Sequence, residues 1–138
     1  MFNKMVIPTD GGGSLTPTTL WSNTATISSS YTFPSQTVTL SDDIDNYEYI
    51  KFVFRRSASL SNTTEVMYSI SEFKKYSTAT SNFNGAIRCY GTNSTTVTYC
   101  RGIIYTNDTT VTFGSCAQVG GAETINSALI PMEIIGLK

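Results

Sequence analysis

Residues 48–55 read Glu-Tyr-Ile-Lys-Phe-Val-Phe-Arg, and this stretch decides the fold class. Its large apolar side chains, Ile50, Phe52 and Phe54, recur at every second position. A period of two is typical of a β-strand with one face buried, because successive side chains of a strand point to opposite sides of the sheet. The stretch therefore predicts a strand with Ile50, Phe52 and Phe54 in the core.

The same period returns along most of the chain. Apolar residues that should share a buried face occur in segments 36–40, 64–70, 96–105 and 109–118: Val38 and Leu40; Val66, Tyr68 and Ile70; Val97, Tyr99, Ile103 and Tyr105; Val111 and Phe113. Turn-forming Asn, Asp and Gly residues separate the segments, and no window of useful length shows a helical period. This pattern predicts an all-β, single-domain antiparallel β-sandwich, jelly-roll-like in its strand order.

Two positions interrupt the alternation. Arg101 stands on the apolar face of its segment, and Gly102 beside it predicts a β-bulge there. The run 129–137 is apolar except for Glu133. Pro131, near the start of this run, has no backbone N–H to donate to a neighbouring strand. We expect the first residues of that last strand to lie outside the ladder.

Composition excludes several classes of function. The chain has 138 residues, a formal net charge of −1 and no histidine. Catalytic triads with histidine and imidazole metal sites are therefore excluded. The near-zero charge argues against a nucleic-acid partner, and the lack of a long apolar run argues against membrane insertion or export by a signal peptide. We expect the protein to be made in a cytoplasm.

A glycine-rich joint, Asp10-Gly-Gly-Gly-Ser14 followed by Pro17, divides the chain. It predicts an N-terminal arm and joint over residues 1–17 and a β-sandwich domain over residues 18–138. The arm carries apolar residues that are candidates for anchoring it to its own domain, another subunit or a partner: Phe2, Met5, Val6 and Ile7.

Three cysteines fall in consecutive predicted strands. Turns near residues 93–94 and 107–108 are expected to place Cys89 roughly opposite Cys100 and Cys100 close to Cys116. A disulfide or a three-thiolate zinc site is an alternative to small, partly buried apolar residues. Structural zinc usually requires four ligands, and an odd count argues against a closed disulfide framework, so we favour the buried apolar role.

The acidic residues form one local cluster and otherwise scatter. Asp42, Asp43 and Asp45, with Glu48 just after, can supply calcium oxygens or simply cap the turn before the next strand. A glycosidase would need two carboxylates that face each other across a cleft. The sequence positions of the remaining glutamates do not indicate which of them could form such a pair: Glu65, Glu72, Glu123 and Glu133. We therefore predict that the protein is not an enzyme, with no catalytic residue, metal or cofactor.

Aromatic residues beside polar loops are the candidate contacts for a ligand. Sugar rings stack on aromatic faces flanked by Asn, Ser and Thr, and such loops also suit protein recognition. The alternative is that these rings cap the ends of the core. The candidates for glycan or receptor contact are Trp21, Tyr31, Tyr76, Phe83 and Tyr90.

Four short stretches carry a resemblance to a known group of proteins. They are Thr19-Leu-Trp-Ser-Asn23, Gln36-Thr-Val-Thr-Leu-Ser-Asp42, Asn46-Tyr-Glu-Tyr-Ile50 and the C-terminal Asn126–Lys138 with its Ile-Pro-x-x-Ile-x-Gly-x-Lys ending. In this order they resemble small β domains of phage and prophage virion structural proteins, often the C-terminal ends of tail-fibre-like proteins of Gram-positive hosts. The resemblance implies a virion surface protein, assembled in the host cytoplasm and commonly oligomeric. It carries over no catalytic residues.

The sequence therefore predicts a phage virion structural protein. As a surface fibre or tail-tip component, it would attach through its arm as a homo-oligomer, a trimer being favoured. Its expected partners are other virion proteins and a host-surface carbohydrate. In the resembling family the domain usually ends a longer fibre, whereas this chain begins with a short arm. That difference leaves a capsid-decoration or head-fibre protein without a receptor role, or a stand-alone carbohydrate-binding module, as alternatives.

Overall fold

The computed structural model describes residues 14–77, 87–92, 98–120 and 124–138, and for 87–90 and 92 only the backbone. A short 3₁₀ turn, Ile44–Asn46, follows the second strand. The strands and the α-helix of this described part are β1 (Pro17–Ser22), β2 (Gln36–Thr39), β3 (Tyr49–Ser57), β4 (Thr63–Ser69), α1 (Ile70–Tyr76), β5 (Ile87–Thr92), β6 (Thr98–Asn107), β7 (Thr110–Gln118) and β8 (Ala128–Leu137).

Two antiparallel four-stranded sheets pack face to face. The first sheet has the strand order β1-β8-β3-β4, and the second has the order β2-β7-β6-β5. The predicted all-β sandwich is confirmed. The jelly-roll order is not confirmed, because consecutive strands pair with each other inside each sheet. β3 pairs with β4 in the first sheet, and β6 pairs with both β5 and β7 in the second. A jelly roll would instead be built from two Greek keys.

The core lies between the sheets, where the alternation placed it. Ile50, Phe52 and Phe54 are completely buried, as are Val111 and Phe113 from the facing sheet. The Phe113 ring lies at its centre, with ring-centroid distances of 5.8–6.2 Å to four other aromatic rings: Trp21, Phe33, Phe52 and Phe54. Most of these contacts are edge-to-face, the geometry that the ring quadrupole favours.

A helix occupies a position where the sequence predicted none, and the expectation of strand through Ile70 was wrong there. Ser69 caps α1: its Oγ accepts from the Glu72 backbone N–H at 3.2 Å and donates to Glu72 Oε1 at 3.0 Å. This is a capping-box pattern of Ser-x-x-Glu. Two turns bury Ile70 and Phe73 but are too short to show a clear period.

Buried Ser77 then fixes the end of the helix against β6. Its hydroxyl donates to the Ile103 carbonyl, and the same Oγ accepts from the Tyr105 backbone N–H at 2.9 Å. The backbone that follows α1 is thereby held to the second sheet.

Of the two expected interruptions, one is confirmed in position and one is wrong. The register of β6 against β7 shifts between Arg101 and Ile103 as predicted, but the extra residue lies in β7, where Gly114 and Ser115 stand opposite Gly102 alone. The first residues of β8, however, do belong to the ladder: Ala128 pairs with Ser57 and Ile130 with Arg55. Pro131 is accommodated because the β3–β8 register also shifts beside it, and β-bulges tolerate a residue without an N–H.

Candidate functional site

Two of the predicted contact residues, Trp21 and Tyr31, lie partly buried against the core. A register shift in β1 between Thr19 and Trp21 turns the strand locally, so that Leu20 is 2% exposed while Trp21 also packs on Phe33 and Phe113. Bulges often re-aim a side chain in this way. Both rings therefore lie at the rim of the sandwich, with part of each in contact with the core.

The side chain of Asn23 forms hydrogen bonds to three different parts of this rim. Its Nδ2 donates to Tyr31 Oη at 3.2 Å and to the Pro131 carbonyl at 3.0 Å, while its Oδ1 accepts from the Ala25 backbone N–H at 3.0 Å. The amide therefore connects the loop after β1 to β8. A polar residue directly after β1 thus fixes Tyr31, one of the two aromatic residues at this rim.

The remaining candidates are not brought to this rim by the described residues. Tyr76 lies at the end of α1, beyond β4 at the other edge of the sheet, and is 53% exposed. Its ring is 5.2 Å from Lys75 Nζ, a cation–π contact. Phe83, the Tyr90 side chain and the arm residues Phe2, Met5, Val6 and Ile7 lie outside what the structure describes.

The Asp42–Asp45 loop contributes to a cluster of carboxylates whose members differ from the predicted ones. Carboxylate oxygens of Asp43, Asp45 and Asp108 lie within 4.8 Å of one another. Lys74 Nζ occupies this cluster, 2.7 Å from Asp45 and 2.9 Å from Asp108. Asp108 comes from the turn between β6 and β7, which sequence spacing could not connect to the Asp42–Asp45 loop.

Lys74 explains the electrostatics of the cluster. Hydrogen bonds to Asp45 and then Asp108 hold the pKa of Lys74 above its ordinary value. The Tyr105 hydroxyl donates to Asp108 Oδ1 at 2.6 Å, and this bond, with that of Lys74, lowers the pKa of Asp108. The ammonium group supplies the positive charge that a cation would otherwise bring, so the geometry favours the turn-capping role over a calcium site.

Asp42 is engaged separately. Its carboxylate accepts from Tyr47 Oη at 2.9 Å, from the Asp43 backbone N–H at 2.8 Å and from Asn46 Nδ2 at 2.9 Å. These hydrogen bonds, with that of Tyr47 the largest, hold the pKa of Asp42 below its ordinary value. The Tyr47 ring in turn covers Gly136 of β8, so this loop is fixed to the centre of the first sheet.

The main feature that sequence reasoning missed is the environment of Arg101. The side chain is completely buried, and among the described residues its guanidinium donates to four backbone carbonyls from three separate segments. Nε donates to Leu129 at 2.7 Å, and Nη2 to Ala128 at 3.0 Å. Nη1 donates to both Phe33 and Gly114 at 2.9 Å. One side chain thus joins the loop before β2 to β7 and β8.

The backbone of Leu129 is adapted to this contact. Its φ is +44°, in the left-handed region that non-glycine residues adopt at a cost of roughly 1–2 kcal/mol. Leu129 is nevertheless 1% exposed, and its carbonyl and that of Ala128 both accept from Arg101. The guanidinium therefore stabilises a strained start of β8. The only sequence signal of this arrangement was an arginine on an apolar face.

The cysteine register differs by one residue from the expected one. Cys89 pairs with Arg101 and Tyr90 with Cys100, while Cys116 pairs with Arg101 across β6–β7. Cys89 and Cys100 therefore lie roughly opposite one another, one residue out of register, and Cys100 is adjacent to Arg101, the partner of Cys116, as expected. Cys116 is completely buried, and this burial raises the pKa of its thiol to about 11, as for a small apolar core residue.

Comparison with known proteins adds no relative. The chain matches no protein-family model and no curated protein. Over the described residues, no helix has both the length and the apolar character needed to cross a membrane.

Proposed function

We propose that this protein is a structural protein of a phage-like virion surface, attached through its N-terminal arm and presenting the far end of its sandwich outward. The observation that carries the proposal is the placement of the two ends of the first sheet. Pro17, where β1 begins, pairs with Leu137, and Leu137 also pairs with Tyr49. The other end carries the loop after β1 and the β3–β4 turn.

This geometry suits a domain attached at one end. Reciprocal hydrogen bonds between Thr16 and Lys138, of 2.6 and 3.2 Å, close the entry to the domain. Residues 1–15 precede that closed entry in the chain, while loops that tolerate variation lie at the opposite end of β1 and β3. The entry to the domain and the displayed loops are thereby separated by the length of the sheet.

Internal bonding of the charged groups also supports a scaffold role. Lys74 is bonded within its acidic cluster, Asp42 within its loop and Arg101 within the core. Each of these groups holds one segment of the fold to another. A particle component that must persist outside the cell benefits from such cross-links between sequence-distant segments.

Immunogold electron microscopy tests the proposal directly. Antibody raised against residues 18–138 is applied to particles purified from the culture that produces the protein. Label at the tail tip supports a receptor-binding fibre component, and label over the head supports the alternative, capsid decoration or a head fibre. Absence of label from intact particles would contradict the virion assignment.

Deletion of residues 1–13 tests the anchoring role. The truncated chain keeps every pairing of β1 and β8, so its circular dichroism should match that of the full chain. It should nevertheless be missing from purified particles. Normal incorporation of the folded, truncated protein would show that the arm does not anchor it. Light scattering after size exclusion tests the proposed homotrimer.

A further inference from the structure

A groove opens on the outer face of the first sheet, at the end away from Pro17. Its volume is about 380 Å³, within the range of roughly 300–1,000 Å³ that small-ligand sites occupy. Polar side chains from four neighbouring segments line it: Ser22, Asn23, Arg55, Ser61, Thr63 and Glu133. It therefore lies directly beside the rim that contains Trp21 and Tyr31, where the sequence placed ligand contacts.

An apolar strip runs through the groove between these polar groups. Val53 and Met132 contribute it, and both side chains are partly exposed. Val53 pairs with Glu133 on β8 and with Glu65 on β4, so one carboxylate stands on each side of it along the sheet. Of these two carboxylates, Glu133 lines the groove and Glu65 does not.

Arg55 is fixed before any ligand arrives. Its Nε donates to the Ser57 carbonyl at 3.0 Å and its Nη2 to the Ala58 carbonyl at 3.2 Å. These two bonds fix the guanidinium on the β3–β4 turn and leave the N–H groups of Nη1 uncommitted among the described residues. A donor held in place by its own backbone loses little further conformational entropy on binding.

Glu133 supplies the complementary acceptor. Within the described chain, its half-buried carboxylate accepts no hydrogen bond and forms no ion pair. Lys51, the nearby cation of this face, lies 3.8 Å from Glu65 instead. The groove thus combines a fixed donor, an uncommitted acceptor, three hydroxyls and an amide around an apolar strip.

From this arrangement we infer that the groove is a saccharide-binding site. The charges of Arg55 and Glu133 cancel, so the groove favours a neutral ligand over an anion or a cation. Vicinal hydroxyls satisfy both groups at once: they donate to the carboxylate and accept from the guanidinium, and charge-assisted hydrogen bonds of this kind are among the stronger ones. The C–H face of a sugar ring covers Val53 and Met132.

This assignment rests on the proposed surface role, since it names the ligand that the displayed end would meet. It also moves the predicted contact from the aromatic rings to the polar residues beside them. Tyr31 then supports the groove through Asn23, Trp21 packs on the core beside it, and Glu133 and Arg55 touch the ligand.

The test is a titration of the ¹⁵N-labelled full chain with neutral saccharides, followed by amide chemical shifts. The probes are glucose, galactose, N-acetylglucosamine and its β-1,4-linked disaccharide. We expect at least one probe to shift the amides around Asn23, Arg55 and Glu133. Glu133→Ala should weaken that binding by about tenfold or more, because it removes the charged acceptor, and the near-isosteric Glu133→Gln should weaken it less.

Glu65→Ala is the matched control. It removes the other carboxylate beside Val53, outside the groove, and should leave affinity within about twofold of the original. Absence of shifts with every probe, shifts that map elsewhere, or equal losses for Glu65→Ala and Glu133→Ala would overturn the inference. None of these results would change the immunogold labelling. The two experiments therefore test the saccharide site and the virion role independently.

A second arm identifies the source of the saccharide. Full-length protein is sedimented with purified Gram-positive cell walls, with and without the shift-inducing probe as competitor. Sedimentation that the probe abolishes, and that Glu133→Ala lacks, supports a surface glycan as the ligand. Amide shifts without sedimentation support a soluble saccharide at the same groove.

Discussion

Replacing Arg101 by Met removes the buried guanidinium while keeping an unbranched apolar side chain in its place. Four backbone carbonyls then lose a donor, those of Phe33, Gly114, Ala128 and Leu129. At about 1 kcal/mol for each orphaned acceptor, the lower end of the usual range, the loss is about 4 kcal/mol. Relief of guanidinium desolvation offsets part of it, so the expected net loss is about 4 kcal/mol at most.

Urea unfolding followed by the fluorescence of Trp21 measures this loss. Trp21 is the single tryptophan of the chain and packs against Phe33 and Phe113, so its emission reports on the core that Arg101 stabilises. With a denaturant slope of about 2 kcal/mol per M, the expected loss lowers the midpoint by at most about 2 M. The urea midpoint of Arg101→Lys should fall between those of the original protein and Arg101→Met, because one ammonium group cannot reach carbonyls on three segments.

Lys51→Met is the control for loss of a positive charge. It breaks only the exposed Lys51–Glu65 contact of 3.8 Å, so we expect less than about 0.5 kcal/mol. If Arg101→Met unfolded within about 1 kcal/mol of the original protein, the four hydrogen bonds would not be the link that holds β7 and β8 to the loop before β2.

Three other changes have defined outcomes. Gly136→Ala would place a methyl group 2.6–2.9 Å from the Tyr47 ring and should cost about 1–3 kcal/mol in the same urea assay; an unchanged midpoint would mean that the ring moves aside at no cost. Ser69→Ala removes the α1 cap and should cost about 1 kcal/mol, whereas equal stability would show that Phe73 packing alone holds the helix. Asp42 and Asp108 have folded pKa values below the ordinary 3.8, so the unfolded chain binds more protons there, and their contribution is present above pH 3.8 and lost as the pH falls. The double variant Asp42→Asn, Asp108→Asn should lose less stability between about pH 6 and about pH 3 than the original, and equal losses in urea midpoint would contradict this assignment.

Local alternation predicted the buried faces well. Ile50, Phe52, Phe54, Val111 and Phe113 lie in the core as expected, because a period of two depends only on the geometry of a single strand. The analysis of alternation did not predict α1, because two helical turns are too short to show a clear helical period. The turn positions placed Cys89 opposite Cys100 to within one residue and left the exact register open.

The candidate contacts were predicted less well. Trp21 and Tyr31 were chosen as aromatic residues beside polar loops, and the structure packs both partly on the core. The groove beside them is lined by Arg55 and Glu133, whose types and spacing carried no signal. Arg55 and Glu133 lie far apart in sequence, and only the pairing of β3 with β8 brings them to one surface.

By itself, the sequence determined that this chain forms antiparallel strands with a hydrophobic face, an irregular register beside Arg101 and Gly102, and turns between the strands. Those features follow from side-chain size, polarity and backbone freedom over a few residues. Tertiary structure alone decided which strands are neighbours, which carboxylates surround Lys74 and which carbonyls receive the Arg101 guanidinium. Backbone carbonyls are identical at every position, so their convergence on one arginine has no signature in the sequence and arises only when three distant segments pack together.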